Sequence, residues 1–239
     1  MIIAEIGLNH LGSKALAEVY VKQLISANID GVTLQVREPE YYIKNPHLKF
    51  SNYESICKQV HLSNKKFGIA IADINLVDFF EKINVDFYKV IRNDMLNDKL
   101  IKKLISTNKK LIISTGTCSE KEIQTFISKY KNANITLNHT QLSYNVEDCN
   151  LSAINTLKSK FGVDVSYGNH CINHHVLYMS LCYKPSDILF YVKGSKGFKY
   201  PDDHHAIVID KVSKVVNNLK ILNKSIGSGI KNKMEIKIK

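Results

Sequence analysis

The chain has 239 residues, 44% of them apolar, and a formal net charge of +11. That length suits one large domain or two small ones, and the composition is ordinary for a globular chain. No apolar run approaches the ~18 residues of a membrane span, and no basic segment followed by an apolar one marks a secretion signal. A cytoplasmic protein without a membrane partner is therefore expected. The five cysteines are scattered with no CxxC pair, which fits reduced thiols. The lysines are spread along the chain without a block or an arginine-rich motif, so nucleic acid is not an expected partner.

Short apolar runs rich in Ile and Val recur at 2–8, 31–36, 67–72, 86–91, 110–115, 135–139, 163–167 and 187–192. Such runs are the pattern of strands buried on both faces. Helical periodicity fills the gaps, as in "SKALAEVYVKQLISAN" after the first run, "NLVDFFEKI" after the third and "MLNDKLIKKLIST" after the fourth. "SEKEIQTFISKY", "NLSAINTLKSKF" and "HHVLYMSLCY" follow the fifth, sixth and seventh. Eight strands alternating with helices predict parallel βα units closed into a (β/α)8 TIM barrel. An open doubly wound sheet would carry a GxGxxG turn after the first strand, and "GLNHLG" is not one. No Pro/Gly/Ser linker splits the chain, so residues 1–223 read as a single barrel domain and 224–239 as a basic C-terminal tail. The longest irregular pieces, 38–50 and 194–203, are expected to be loops on the active face.

Barrels of this kind gather their chemistry at the C-terminal ends of the strands. The first strand delivers Glu5, Asn9 and His10 there, and the second Gln35, Arg37 and Glu38. The third gives Asp73, the fourth Lys89, Arg92, Asn93 and Asp94, and the fifth Ser114 and Thr115. Asn138, His139 and Tyr144 follow the sixth, and Ser166, Tyr167, Asn169 and His170 the seventh. Lys193, Lys196, Asp202, Asp203, His204 and His205 follow the eighth. Glu5 stands inside its strand, where a carboxylate must be paired or hydrogen-bonded, and Lys89 and the arginines are available.

Among the 33 basic residues only Arg37 and Arg92 are arginine, both at strand ends. A guanidinium fork binds carboxylate or phosphate through paired hydrogen bonds that lysine cannot reproduce, so an anion site is expected there. His10, His139, His170 and His204 come from different strand ends and could converge on a metal, although no sequential ligand spacing marks one.

"IIAEIGLNHLGSKALAEVYVKQLISANIDGVTLQ" resembles the opening of the sialic acid synthases, the phosphoenolpyruvate-dependent N-acetylneuraminate synthase family. The resemblance continues through "DFYKV", "LIISTGTCSEKEI", "NHTQLSYNVEDCNLSAINTLKSKFGVDVSYGNH", "YPDDHHA" and "IGSGIK", from about Ile2 to Lys231. It implies a TIM barrel and a homodimer. Members usually carry a C-terminal antifreeze-like domain that caps the partner's site, and this chain stops where the linker to it would begin. The implied reaction condenses phosphoenolpyruvate with N-acetylmannosamine or a related sugar and releases phosphate. A divalent metal, Mn2+ or Mg2+, is implied as cofactor.

Carried over by position, Glu5, Gln35, Tyr144 and Asp203 match sugar contacts, and Lys89 matches a phosphoenolpyruvate-binding lysine. Glu5, Lys89 and His170 are the expected catalytic set. Asn9, His10, Gln35, Arg37, Arg92, Ser114, Tyr144, Asn169 and Asp203 are the expected substrate contacts. His170 and His139 are the expected metal ligands. The chain also departs from the pattern. Thr33 replaces a lysine, Arg92 a serine, Gly168 and Asn169 a serine and an aspartate, and Val192 the second metal histidine. The phosphate-binding turn after the third strand is reduced to "IAD", ending at Asp73. Two readings follow: a divergent enzyme whose anion and metal sites are rebuilt, or an impaired paralogue that binds a sugar or a partner chain.

Overall fold

The computed structural model describes residues 1–195, 197–231 and 233, with only the backbone of Arg92 and Asn93. Eight parallel strands close on themselves: β1 (Ile2–Gly7), β2 (Gly31–Val36), β3 (Lys66–Ile71), β4 (Phe87–Val90), β5 (Lys110–Ser114), β6 (Ile135–His139), β7 (Asp164–Asn169) and β8 (Ile188–Lys193). Each pairs with the next, and β8 pairs back onto β1 with Ile2 opposite Ile188 and Glu5 opposite Tyr191. A two-residue strand, β9 (Ile207–Val208), adds to the top of β8. The (β/α)8 barrel expected from alternation is the fold.

Helices α1 (Lys14–Ser26), α2 (Phe50–Leu62), α3 (Val77–Lys82), α4 (Asp98–Ile105), α5 (Glu120–Tyr130), α6 (Ala153–Phe161), α7 (His175–Ser180) and α8 (Ile209–Ser225) follow the strands in turn. Their starts are written locally. Ser13 caps α1, Asn97 caps α4, and Ser119 with Glu122 forms a capping box on α5, so orphan backbone N–H groups are satisfied by side chains three residues away. α8 ends at Ser225, so the last helix runs two residues into the segment read as tail.

Strand side chains alternate between the barrel interior and the helix layer. Outward residues such as Ile69, Val90, Leu137, Val165 and Val192 join one continuous core with the helices. Ile3, Phe87, Ile112 and Leu189 form a separate buried cluster inside the barrel. Gly68 is required there, because a Cβ at that position would lie 2.3 Å from the Phe87 ring. This apolar plug fills the lower interior. Two residues further along the same strands, the inward positions become Glu5, Lys89, Ser114 and Tyr191, and the interior turns polar.

Candidate functional site

Lys89 Nζ, from β4, donates to both oxygens of Glu5 on β1, at 2.6 and 2.7 Å. Both side chains are almost fully buried. Thr33, inward on β2, donates to Glu5 Oε1 at 3.4 Å, and the Lys89 ammonium lies 5.5 Å from the Tyr191 ring centroid. The charge inside the first strand is thus the counter-ion of a lysine, and it anchors that lysine over the plug.

Above the pair lies a cavity of about 310 Å³ lined by Gln35, Arg37, Tyr41, Lys89, Ser114, Thr140, Leu142, Tyr144, His170, Tyr191, Asp202 and His205, among others. Arg37 meets Glu38 through two donors, at 2.8 and 2.5 Å, and sits 4.9 Å over the Tyr41 ring. A guanidinium has five N–H donors, so three remain for an anion. Its Glu38 hydrogen bonds hold its pKa above the ordinary value.

One wall is aromatic. His170 and His205 stack with centroids 4.4 Å apart, and Tyr144 stacks on His204 and His205 at 5.1 and 5.8 Å. Burial, and then the neighbouring His205 and Lys89, push the His170 imidazole down to about 3. Burial and Lys89 push His205 down to about 4. Both rings are neutral at pH 7. Neither ring nitrogen of buried His205 has a hydrogen-bond partner, and the buried hydroxyl of Thr140 has none.

Of the expected residues, Gln35, Arg37, Lys89, Ser114, Tyr144 and His170 meet in this cavity. Glu5 lies beneath it, paired with Lys89. Asn9 closes the barrel instead: its amide donates to Val192 O at 2.8 Å and accepts from Asp202 N at 3.2 Å. His10 accepts from Gly12 N at 3.0 Å through Nδ1, and burial pushes its pKa down to about 4. His139 does not stand beside His170 as a second metal ligand. It points outward from β6, with Nε2 3.0 Å from Cys149 O. Asn169 is also outward, bonded to Tyr167 and Cys171. Asp203 pairs with Lys193 at 2.5 Å, and its neighbour Asp202 lines the cavity. The Arg92 side chain and all of Lys196 lie outside the described residues.

Tyr41, Thr140 and Tyr191 were not singled out from sequence. Thr140 opens the loop 140–152, as long as the expected loop 38–50 and longer than 194–203, and Tyr191 is the inward residue beside outward Val192. Among the described residues no three or more His, Cys, Asp or Glu side chains converge on a metal position. Two neutral imidazoles with free nitrogens are nevertheless donors that fit a transition-metal ion whose other ligands come from substrate or water.

The model of the NeuB family matches residues 37–231. The chain belongs to the NeuB family. This NeuB barrel is 31% identical to an uncharacterised protein of Methanocaldococcus jannaschii, over 96% of this chain and 73% of that one. It is 25% identical to the N,N'-diacetyllegionaminic acid synthase of Campylobacter jejuni, over 97% of this chain and 78% of that one. Among solved structures it superposes on the N-acetylneuraminic acid synthetase of Leptospira borgpetersenii with a TM-score of 0.89, at 24% identity, covering 98% of this chain and 87% of that one.

Proposed function

We propose that this NeuB barrel is a phosphoenolpyruvate-dependent synthase of nonulosonic acids, joining phosphoenolpyruvate to N-acetylmannosamine or a related N-acetylated sugar with release of phosphate. The observation that carries the reading is the meeting, in one cavity, of a guanidinium with spare donors and a polar, aromatic wall. Relatives named as legionaminic acid and N-acetylneuraminate-9-phosphate synthases support it.

In this reading Arg37 and Lys89 bind the carboxylate and phosphate of phosphoenolpyruvate, since both reach the cavity from neighbouring quarters of the barrel. Glu5 holds Lys89 in place and keeps its charge from standing alone in the interior. Ser114, Thr140, Gln35 and Tyr144 supply donors and acceptors for sugar hydroxyls and the acetamido group. A rigid strand end fixes most of these groups, which favours orientation of the two substrates. His170 would hold a divalent metal, Mn2+ or Mg2+, whose contribution is to polarise the sugar's open-chain aldehyde.

A second reading, a barrel that binds sugar without turnover, is favoured by one observation: Lys89 is already closed on Glu5. Phosphate release separates the two. Phosphoenolpyruvate is incubated with a panel of N-acetylated hexosamines and a divalent metal. Sugar-dependent phosphate is the expected result, and binding of sugars without phosphate release leaves the second reading.

A further inference from the structure

Strand β2 turns Thr33 and Gln35 into the barrel and Val36 toward the helix layer, and the pleat carries Arg37 inward after them. The loop that follows divides its tyrosines in the same way. Tyr41 lines the cavity at the mouth, whereas Tyr42 lines a separate apolar groove with Leu48, Phe50 and Tyr53. Arg37 borders both. Its backbone N–H donates to the Tyr42 hydroxyl at 3.1 Å on the groove side, and its guanidinium stands 4.9 Å over the Tyr41 ring on the cavity side.

A guanidinium has two edges on which a pair of N–H groups can meet two oxygens, Nε with Nη2 and Nη1 with Nη2. Glu38 takes the first edge whole, with Oε2 on Nε at 2.8 Å and Oε1 on Nη2 at 2.5 Å. None of the hydrogen bonds among the described residues uses Nη1, so the second edge stays complete. Lys89 spends two of its three donors on Glu5, which leaves Arg37 as the source of a paired contact in this cavity. A long side chain that is already held in place loses less rotamer freedom when it binds a ligand. The pair is also unequally covered: the Arg37 side chain is 10% exposed and that of Glu38 41%.

We propose that Glu38 and Tyr41 are positioning residues for Arg37, clamping its guanidinium by one edge and one face so that the Nη1–Nη2 edge presents paired donors to an anionic group in the cavity. The group is the carboxylate or the phosphate of phosphoenolpyruvate, and for that assignment the inference rests on the synthase reading.

The test is calorimetric titration of the full chain and its variants with phosphoenolpyruvate, pyruvate and inorganic phosphate in turn. Glu38→Gln keeps one acceptor but turns its amide N–H groups against the other guanidinium donor, which opens the clamp. Affinity for phosphoenolpyruvate should fall about tenfold, while the urea midpoint holds because Glu38 lies at the exposed end of the pair. Of the other two probes, the one that loses affinity by the same factor identifies the group on the open edge: pyruvate marks the carboxylate, and inorganic phosphate the phosphate. Tyr41→Ala should weaken binding about threefold, and Tyr41→Phe, which keeps a ring under the guanidinium, should restore it. In turnover, KM for phosphoenolpyruvate should rise in Glu38→Gln with kcat held. Unchanged affinity for all three probes in Glu38→Gln overturns the proposal. A gain in affinity also overturns it, because Glu38 would then compete for the guanidinium instead of steering it. Should Glu38→Gln fail to fold, equal binding by Tyr41→Ala and Tyr41→Phe overturns it in its place. Pyruvate or phosphate bound in a Glu38-dependent way, with no binding of phosphoenolpyruvate, would sink the synthase reading alone. Sugar-dependent phosphate release with phosphoenolpyruvate affinity indifferent to Glu38 would sink this inference alone.

Discussion

The two ends of the barrel treat their polar groups in opposite ways. At the N-terminal end, three aspartates each immediately precede a strand and each is fully partnered. Asp187 accepts from the chain's N-terminal ammonium at 3.2 Å, from Lys110 at 2.6 Å and from Ser186 at 2.9 Å. Asp86 takes Lys66, the Phe67 N–H and His61, and Asp30 takes the Ile2 N–H and Lys220. These bonds tie β1 to β2 and β8, tie β3 to β4, and reach across the base from β5 to β8. At the C-terminal end, His10 Nε2, Thr140 Oγ1 and both nitrogens of His205 are buried without partners, and they are the only such side-chain atoms among the described residues. Satisfied charge at the base stabilises, and the open donors and acceptors at the rim lie where the proposed substrates would bind.

The base also holds an array that mimics a catalytic one. Cys57 Sγ lies 3.8 Å from His61 Nδ1, and His61 Nε2 lies 2.8 Å from Asp86. Yet the thiol donates to Ile83 O at 3.2 Å, is buried, and burial with the Asp86 charge pushes it up to about 12. A nucleophilic cysteine needs the opposite shift.

The contrast can be broken at four points. Glu5→Gln strands the Lys89 ammonium in the interior, and urea unfolding should show a loss of about 3–5 kcal/mol. Unchanged stability would move that pair from scaffold to rim. Asp187→Asn removes a carboxylate serving two cations and should cost about 1.5–3 kcal/mol. Third, burial holds His10 neutral with a folded pKa of about 4 against 6.5 unfolded. A depressed histidine contributes its full stability above pH 6.5 and loses it as pH falls toward 4, because the unfolded chain takes up the proton first. At pH 5 that is about 2 kcal/mol, and His10→Asn should flatten this part of the profile in urea melts at pH 7 and 5. The smallest effect concerns thiols: in the folded protein at pH 7.5, exposed Cys182 should react with a maleimide well before Cys57.

Much of this was legible in the residues. Continuous Ile/Val runs gave all eight strands nearly to the residue, because strands buried on both faces carry no alternation to confuse with a helix. Of the polar residues gathered at strand ends, Gln35, Arg37, Lys89, Ser114, Tyr144, His170, Asp202 and His205 line one cavity. The misplacements share one cause. His139, Asn169 and Val192 each sit one residue off the inward register, where the pleat turns them to the helix layer, and Thr140, His170 and Tyr191 are their inward neighbours. Leu137, Val165 and Val192 join the helix-facing core and so set that parity, and a sequence read strand by strand, with apolar residues on both faces, does not show it. His205 was gathered with the residues after the eighth strand, but its place against His170 was not legible, since that depends on how a 13-residue loop folds back over the barrel mouth.

The most direct test is calorimetric titration of phosphoenolpyruvate into two matched variants, Arg37→Ala at the rim and Asp187→Asn at the base. The division of labour predicts that Arg37→Ala loses affinity by about tenfold or more while keeping its urea midpoint, and that Asp187→Asn keeps its affinity while losing stability. Equal phosphoenolpyruvate affinity in Arg37→Ala and the unaltered chain would contradict it.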